Sequence, residues 1–152
     1  MCRFPFGCGY GVLTTDILEQ TGLELAQMKE KYRKPIIEKS PSYAVIKNPM
    51  DLTGDADNER FMVAIENTMK DPNVDSIILI MLFQVPTLDS DIIEGVSELL
   101  TDRKKPVLIV SAGGGFAQMH MNLLEKEGIN TFSAPLDAVH SLKALTDYYS
   151  PK

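Results

Sequence analysis

Two runs of nearly consecutive apolar residues stand out in the hydrophobic pattern, one over 75–82 and one over 106–110. Such runs are typical of strands that are covered on both faces. Around them, apolar residues recur every three or four positions, which is the spacing of an amphipathic helix. The pattern predicts helices over 12–21, 29–39, 57–70, 89–101, 116–127 and 136–149. The first of these helices would carry Val12, Leu13, Ile17 and Leu18 on its apolar side.

The remaining strands are weaker in the sequence. Residues 2–6 should form the first strand, but Pro5 interrupts them, so we expect this strand to be truncated. The apolar alternation of 23–26 predicts a second strand, and 129–132 the last one. Strands that alternate with helices pair in parallel through right-handed crossovers. We therefore expect one α/β domain over 1–152, a flavodoxin-like, doubly wound parallel sheet of about five strands in three layers.

Composition narrows the class of partner. The 152 residues are 44% hydrophobic and 24% charged, as in soluble globular domains. The net charge of −6 argues against a nucleic-acid partner. No segment approaches the ~20 apolar residues of a membrane helix, so no membrane partner is expected. Two cysteines do not make a disulfide framework, and a reducing cytoplasm is the expected location.

A glycine-rich turn before the first predicted helix is the first candidate site. Unpaired N–H groups and the positive end of the dipole at a helix N-terminus attract phosphate or carboxylate. In open α/β sheets, ligands bind outside the carboxyl ends of the strands, so 7–12, 83–87 and 111–115 would share one rim. Glycine-rich turns also allow a helix to pack closely on its sheet, and both explanations stay open. The candidate phosphate-binding residues are Gly9, Tyr10, Gly11 and Val12, with a second glycine loop at Gly113, Gly114 and Gly115.

Common nucleotide and phosphoryl motifs are missing from this rim. The spacing of Gly7, Gly9 and Gly11 is not that of the dinucleotide fingerprint, and no lysine lies near the turn as in a phosphate-binding loop. The strand of 75–82 runs into Phe83 and Gln84 rather than into the aspartate of a phosphoryl-accepting regulator. These classes are therefore excluded.

The remaining polar residues give no catalytic or metal site. His120 and His140 have no nearby nucleophile or metal-ligand spacing, and we expect each to be a surface or interfacial side chain. Asp51 and Asp55 flank a threonine and a glycine, where a role in capping and turn formation is favoured over a metal site. Met119 and Met121 are expected to fill gaps in the core.

Several blocks, in order along the chain, carry a resemblance to a known family. Residues 9–16, Gly-Tyr-Gly-Val-Leu-Thr-Thr-Asp, resemble its G-x-G-V-L-A-T-D turn and helix. Residues 48–56, Asn-Pro-Met-Asp-Leu-Thr-Gly-Asp-Ala, resemble its N-P-V-D-L-x-G-D-A block. Shorter matches follow at 71–75, 105–107, 128–129 and 138–139. The chain thus resembles the flavodoxin-like domain that ends the α portion of NDP-forming acyl-CoA synthetases (acetate–CoA ligases), equivalent to the C-terminal domain of the succinyl-CoA synthetase β subunit.

The resemblance implies a part in the reversible conversion of acyl-CoA, phosphate and a nucleoside diphosphate into the acid, CoA and the triphosphate. In that family, the reaction uses magnesium, an acyl phosphate and a phosphorylated histidine. By resemblance, the helix opening at residues 9–12 points its N-terminus at the phosphohistidine and stabilises the phosphoryl group electrostatically. Phe83, Gln84 and Val85 resemble the loop that lines the acyl or phosphate pocket. The domain alone would bind no cofactor, whereas CoA, ADP or ATP, phosphate and Mg²⁺ belong to the complete enzyme.

The chain lacks other parts of these enzymes. No segment resembles the surroundings of the phosphorylated histidine, so neither His120 nor His140 inherits that role. A CoA-binding Rossmann domain and an ATP-grasp domain are also missing. One hypothesis is therefore a domain of an acid–thiol ligase, inactive alone, that needs CoA-binding, phosphohistidine and ATP-grasp domains as partners. The other is a stand-alone module that binds a phosphate ligand or a protein without catalysis. Because the first strand is incomplete, we also expect self-association into a homo-oligomer.

Overall fold

Helices and strands alternate along the chain. The computed structural model describes residues 2–4, 8–88, 90–102 and 104–149. No helix in these ranges is long and apolar enough to cross a membrane. In chain order, the elements are β1 (Cys2–Phe4), α1 (Cys8–Thr21), α2 (Glu30–Lys39), α3 (Asn58–Lys70), β2 (Ile77–Ile80), α4 (Asp91–Leu100), β3 (Val107–Val110), α5 (Gly114–Lys126), β4 (Asn130–Phe132) and α6 (Pro135–Tyr149).

The described strands form one parallel sheet in the order β1-β2-β3-β4. Ile77 lies opposite both Cys2 and Val107, and Leu108 lies opposite Asn130. The ladder extends beyond β3, because the N–H of Ser111 donates to the carbonyl of Phe132 over 2.9 Å. The expected α/β class with a parallel sheet is confirmed. Since all strands run the same way, the segments that follow β1, β2 and β3 leave the sheet at the same edge.

The predicted second strand over 23–26 is wrong, because residues 22–29 form neither a helix nor a strand. Side chains supply the hydrogen bonds that a neighbouring strand would otherwise make. The carbonyl of Ala26 accepts from the Asn48 side chain over 2.8 Å. The N–H of Lys29 donates to the Asp71 carboxylate over 2.7 Å. The described residues therefore hold four strands rather than five.

Helices cover both faces of the sheet and give three layers. Alternate residues of β2 point to opposite sides, so Ile77 and Leu79 join one apolar cluster while Ile78 and Ile80 join the other. The first cluster includes buried residues of α2, α3, α4 and α5, with Phe61 fully enclosed. The second includes Leu18 of α1 and buried residues of α6. Burying each large apolar side chain contributes roughly 1.5–3 kcal/mol, which fixes the helices relative to the rim.

Candidate functional site

The first turn of α1 contains the candidate phosphate-binding residues, which corrects the expectation of a glycine turn before the helix. The helix begins at Cys8, so Gly9, Tyr10, Gly11 and Val12 are themselves helical. The first four N–H groups of any helix have no acceptor within it, and the positive end of its dipole lies there. Gly9, Tyr10 and Gly11 are among the first four residues of α1, which begins four positions after β1 ends at Phe4, and Val12 is the fifth residue of the helix.

Packing does not explain the glycine at position 9. A Cβ on Gly9 would meet no atom of the described residues within 4 Å. A glycine in a helix interior costs about 1 kcal/mol relative to alanine, and less in the first turn, where Gly9 lies. Gly11, by contrast, is buried together with Thr14 and Leu18 at helical spacing, so close packing remains a sufficient reason for that glycine.

The expected apolar side of α1 is buried at Ile17 and Leu18 but not in the first turns of the helix. Leu18 is fully buried, and Ile17 packs partly against the same cluster. Val12 is 60% exposed and Leu13 is 49% exposed, whereas the smaller Gly11 and Thr14 are buried. The N-terminus of α1 is thus bordered by exposed apolar side chains.

The loop after β2 joins the loop after β3 through one side chain. Phe83 is buried and Val85 packs partly against the core, while Gln84 between them is exposed. The Nε2 group of Gln84 donates a hydrogen bond to the carbonyl of Ala112 over 2.9 Å. The sequence predicted both loops at the rim, but nothing in it pairs Gln84 with Ala112.

The second glycine loop begins with two glycines of positive φ, Gly113 at 142° and Gly114 at 66°. Gly113 precedes α5 with φ = 142°, a backbone conformation that residues with a side chain rarely adopt. A Cβ at this position would lie 1.1 Å from the Nε2 atom of Gln84. Gly114 and Gly115 belong to the first turn of α5, where a Cβ on either would meet no described atom within 4 Å.

His120 is buried, which corrects the expectation of a surface or interfacial histidine. Its ring stacks on Phe83 at a centroid distance of 4.7 Å and contacts Phe116 at 4.5 Å. Its Nδ1 atom lies 2.9 Å from the Phe116 carbonyl. The His120 ring therefore packs against the loop after β2 through its contact with Phe83. His140 is exposed as predicted, and Met119, which was expected in the core, is 51% exposed.

In the loop before α3, the carboxylates of Asp51 and Asp55 accept hydrogen bonds from nearby groups of the same chain. Asp51 accepts a hydrogen bond from the N–H of Thr53 over 2.8 Å, which confirms the turn role. Asp55 accepts from the hydroxyl of Thr53, from that of Tyr43 at 2.9 Å and from Arg60 at 3.0 Å. The Thr53 hydroxyl, then the Tyr43 hydroxyl and the Arg60 guanidinium, lower the pKa of Asp55 from 3.8 to about 2. The described residues contain no group of three or more His, Cys, Asp or Glu that could hold a metal ion.

The rim segments 8–15, 83–87 and 111–116 contain no charged residue. An anion there would be held by backbone N–H groups, helix dipoles and neutral side-chain donors, without a charged side chain. The same absence leaves no carboxylate, imidazole or amine in these segments to transfer a proton.

Comparison with known proteins now fixes the family. Residues 5–144 match the Ligase-CoA domain. The chain belongs to that family. It is 35% identical over 145 residues to the α subunit of acetate–CoA ligase [ADP-forming] II of Pyrococcus furiosus, and 33% identical over 142 residues to the α subunit of isoenzyme I. The resemblance to ADP-forming acetate–CoA ligases is thereby confirmed.

Solved structures contain the same domain. The PH0766 protein of Pyrococcus horikoshii OT3 superposes with a TM-score of 0.88 at 31% identity over 96% of this chain. The apo acetyl-coenzyme A synthetase 1 of Ca. Korarchaeum cryptofilum, at 24% identity and a TM-score of 0.86, shows the same fold. The chain spans 31% and 30% of the lengths of the two Pyrococcus furiosus subunits. This Ligase-CoA domain therefore corresponds to about a third of its relatives.

Proposed function

We propose that this Ligase-CoA domain is one domain of an NDP-forming acyl-CoA synthetase, an acid–thiol ligase that interconverts acyl-CoA, phosphate and NDP with the acid, CoA and NTP. Its partners would be CoA-binding, phosphohistidine and ATP-grasp domains, in the same chain or in other subunits. The proposal is supported by relatives that are α subunits of ADP-forming acetate–CoA ligases. The finer fold class, a flavodoxin-like sheet, is part of the same proposal and fits the strand order and the three layers.

The domain's contribution would be electrostatic. The first turn of α1, residues 9–12, would direct its N–H groups and dipole at a phosphoryl group carried by a histidine of another domain. The observation that carries this role is the open first turn at Gly9, where a Cβ would meet no described atom within 4 Å.

The loop of Phe83, Gln84 and Val85 would form the wall of the acyl or phosphate pocket. The stack of Phe83 on His120 and the bond of Gln84 to Ala112 fix this loop before any ligand arrives. The first turn of α5, with Gly114 and Gly115, would lie beside it. The proposal assigns no step to a metal held by this domain.

Exposed apolar side chains around the rim would suit a partner domain that covers it. Val12 and Leu13 beside the start of α1, and Phe116 and Met119 near the start of α5, are each about half exposed or more. Exposed apolar groups of this kind are typical of surfaces that contact another domain. A partner that covered them would exclude water from the phosphoryl group and strengthen its interaction with the N–H groups.

The experiment compares the chain alone with the assembled enzyme. The purified chain given acetate, CoA, ATP and Mg²⁺ should form no acetyl-CoA. The complex with its ATP-grasp and CoA-binding partners should form it. Turnover by the chain alone would contradict the proposed dependence on partner domains. No turnover by the complex would contradict the proposal and favour the stand-alone binding module.

A variant of α1 tests the phosphoryl role within the complex. Gly9→Ala should leave the domain as stable as the wild type or slightly more stable, because Gly9 lies in the first turn of α1 and a Cβ there meets no described atom within 4 Å. The new methyl should obstruct the approach of the phosphoryl group and lower kcat at least ten-fold. Gln20→Ala, at the other end of α1, is the matched control and should leave kcat unchanged. An unchanged kcat in Gly9→Ala would refute the role.

A further inference from the structure

A cavity of about 520 Å³ lies beside α2. Residues 25–28 and 46–48 form its walls, and Arg33 of α2 closes one side. Its volume falls within the ~300–1,000 Å³ of pockets that hold small molecules. None of its lining residues belongs to the rim segments.

Hydrogen bonds place this cavity at the opposite end of the sheet from the rim. The carbonyl of Gln27 accepts from the Asn73 side chain over 3.0 Å. Lys29, the next residue but one, donates its N–H to Asp71. Asp71 and Asn73 lie between the end of α3 and the start of β2, at the amino end of that strand. A ligand in the cavity would thus not share the site proposed at the carboxyl ends of the strands.

The cavity carries positive charge without a carboxylate. Arg33 and Lys47 line it, and none of its lining residues is Asp or Glu. The Nε group of Arg33 donates to the carbonyl of Ile46 over 2.9 Å, which fixes the guanidinium at the wall. Neither Arg33 nor Lys47 forms an ion pair with the described residues, and the net charge of the chain is −6.

The remaining walls are partly apolar. Leu25 and Met28 are half-buried at the cavity, and Ile46 is only 6% exposed. Arginine binds carboxylates and phosphates through a planar fork of N–H groups, and lysine adds a second positive charge. We propose that this cavity binds a small organic anion, with its carboxylate or phosphate group held by Arg33 and Lys47 and its apolar part against Leu25 and Met28.

The test uses the 152-residue chain and three probes: inorganic phosphate, butyrate and AMP. Titrations followed by ¹⁵N–¹H NMR at low salt should give saturable shifts at residues 25–28 and 46–48. Saturation by butyrate supports a carboxylate ligand, and saturation by phosphate or AMP supports a phosphate ligand. If no probe gives saturable shifts in these segments, or if shifts occur only at the rim, the proposal is overturned.

Charge variants test the two cations. Arg33→Gln and Lys47→Gln should each raise the Kd of the best probe about ten-fold, because each removes a charge-assisted contact. Lys34→Gln removes one positive charge from the same helix outside the cavity lining and should change Kd less than two-fold. Because Arg33→Gln also removes the bond to Ile46, circular dichroism checks its folding and Lys47→Gln provides the independent measure. Equal Kd values for the wild type and Lys47→Gln would overturn the assignment.

Discussion

Gly113 offers the sharpest test of the rim geometry. Its φ of 142° and ψ of 34° suit glycine and strain any residue with a Cβ. The space that a Cβ would occupy is filled by the carboxamide of Gln84, whose Nε2 atom would lie 1.1 Å away. Gly113→Ala therefore combines backbone strain with displacement of the side chain that joins the two loops.

The magnitude follows from two contributions. Holding a non-glycine residue in this backbone conformation costs roughly 1–3 kcal/mol. Gln84 is exposed and can swing away, so the overlap costs about the hydrogen bond to Ala112, a further ~0.5–1.5 kcal/mol. We expect Gly113→Ala to lower the free energy of unfolding by about 2–4 kcal/mol. Gln84→Ala alone should lower it by about 0.5–1.5 kcal/mol.

Urea denaturation of both single variants and the double variant completes a double-mutant cycle. The hydrogen bond can be lost only once, so the double variant should be more stable than additivity predicts by about 0.5–1.5 kcal/mol. Gly115→Ala is the matched control, because its Cβ meets no described atom and its φ is not positive. It should be neutral or slightly stabilising. Strict additivity, or a Gly113→Ala variant as stable as the wild type, would refute the geometry.

Three further predictions concern single side chains. Carboxyl ¹³C NMR should give Asp55 a pKa of about 2. The ionised carboxylate therefore stabilises the fold fully above pH 3.8, and this contribution is lost as the pH falls towards 2. Tyr43→Phe should move the pKa of Asp55 back towards 3.8, and an unchanged pKa would contradict the assignment. Asp71→Ala removes a fully buried carboxylate that accepts the N–H of Lys29, and it should cost about 2–4 kcal/mol in urea denaturation; a cost below about 1 kcal/mol would argue against that bond. Ser111 is fully buried, and its hydroxyl has no hydrogen-bond partner among the described residues. Ser111→Ala should therefore raise the free energy of unfolding by about 1 kcal/mol. A loss of stability would mean that the hydroxyl forms a hydrogen bond.

Much of the fold follows from the hydrophobic pattern. The apolar runs of 75–82 and 106–110 contain β2 and β3, and the helical periodicities contain α2, α3 and α4 and miss only the first one or two residues of α5 and α6. The start of α1 and the segment 22–29 do not follow from it. Helix propensity disfavours the glycines at the start of α1, and the hydrogen bonds of 22–29 come from side chains that are distant in sequence. Local patterns carry no information about such partners.

The candidate site was predictable as segments but not as contacts. Topology alone brings 83–87 and 111–115 to one edge, because β2 and β3 are parallel neighbours. The bond of Gln84 to Ala112 spans 28 positions and depends on the path of both loops. The same holds for the stack of Phe83 on His120. Because His120 lies between two methionines in the sequence, the local pattern does not indicate that its ring is buried against Phe83.

The absence of charge at the rim gives a physical reason why the domain would need partners. Helix-terminal dipoles act over short distances and are screened by water and salt. In a chain of net charge −6, they would attract a phosphoryl group only weakly while the N-terminus of α1 stays in contact with solvent. Covering Val12 and Phe116, which are 60% and 52% exposed, would lower the local dielectric and strengthen the same dipoles. Phosphate affinity should therefore rise on assembly with the partner domains, although this domain would contribute no new side chain to the site.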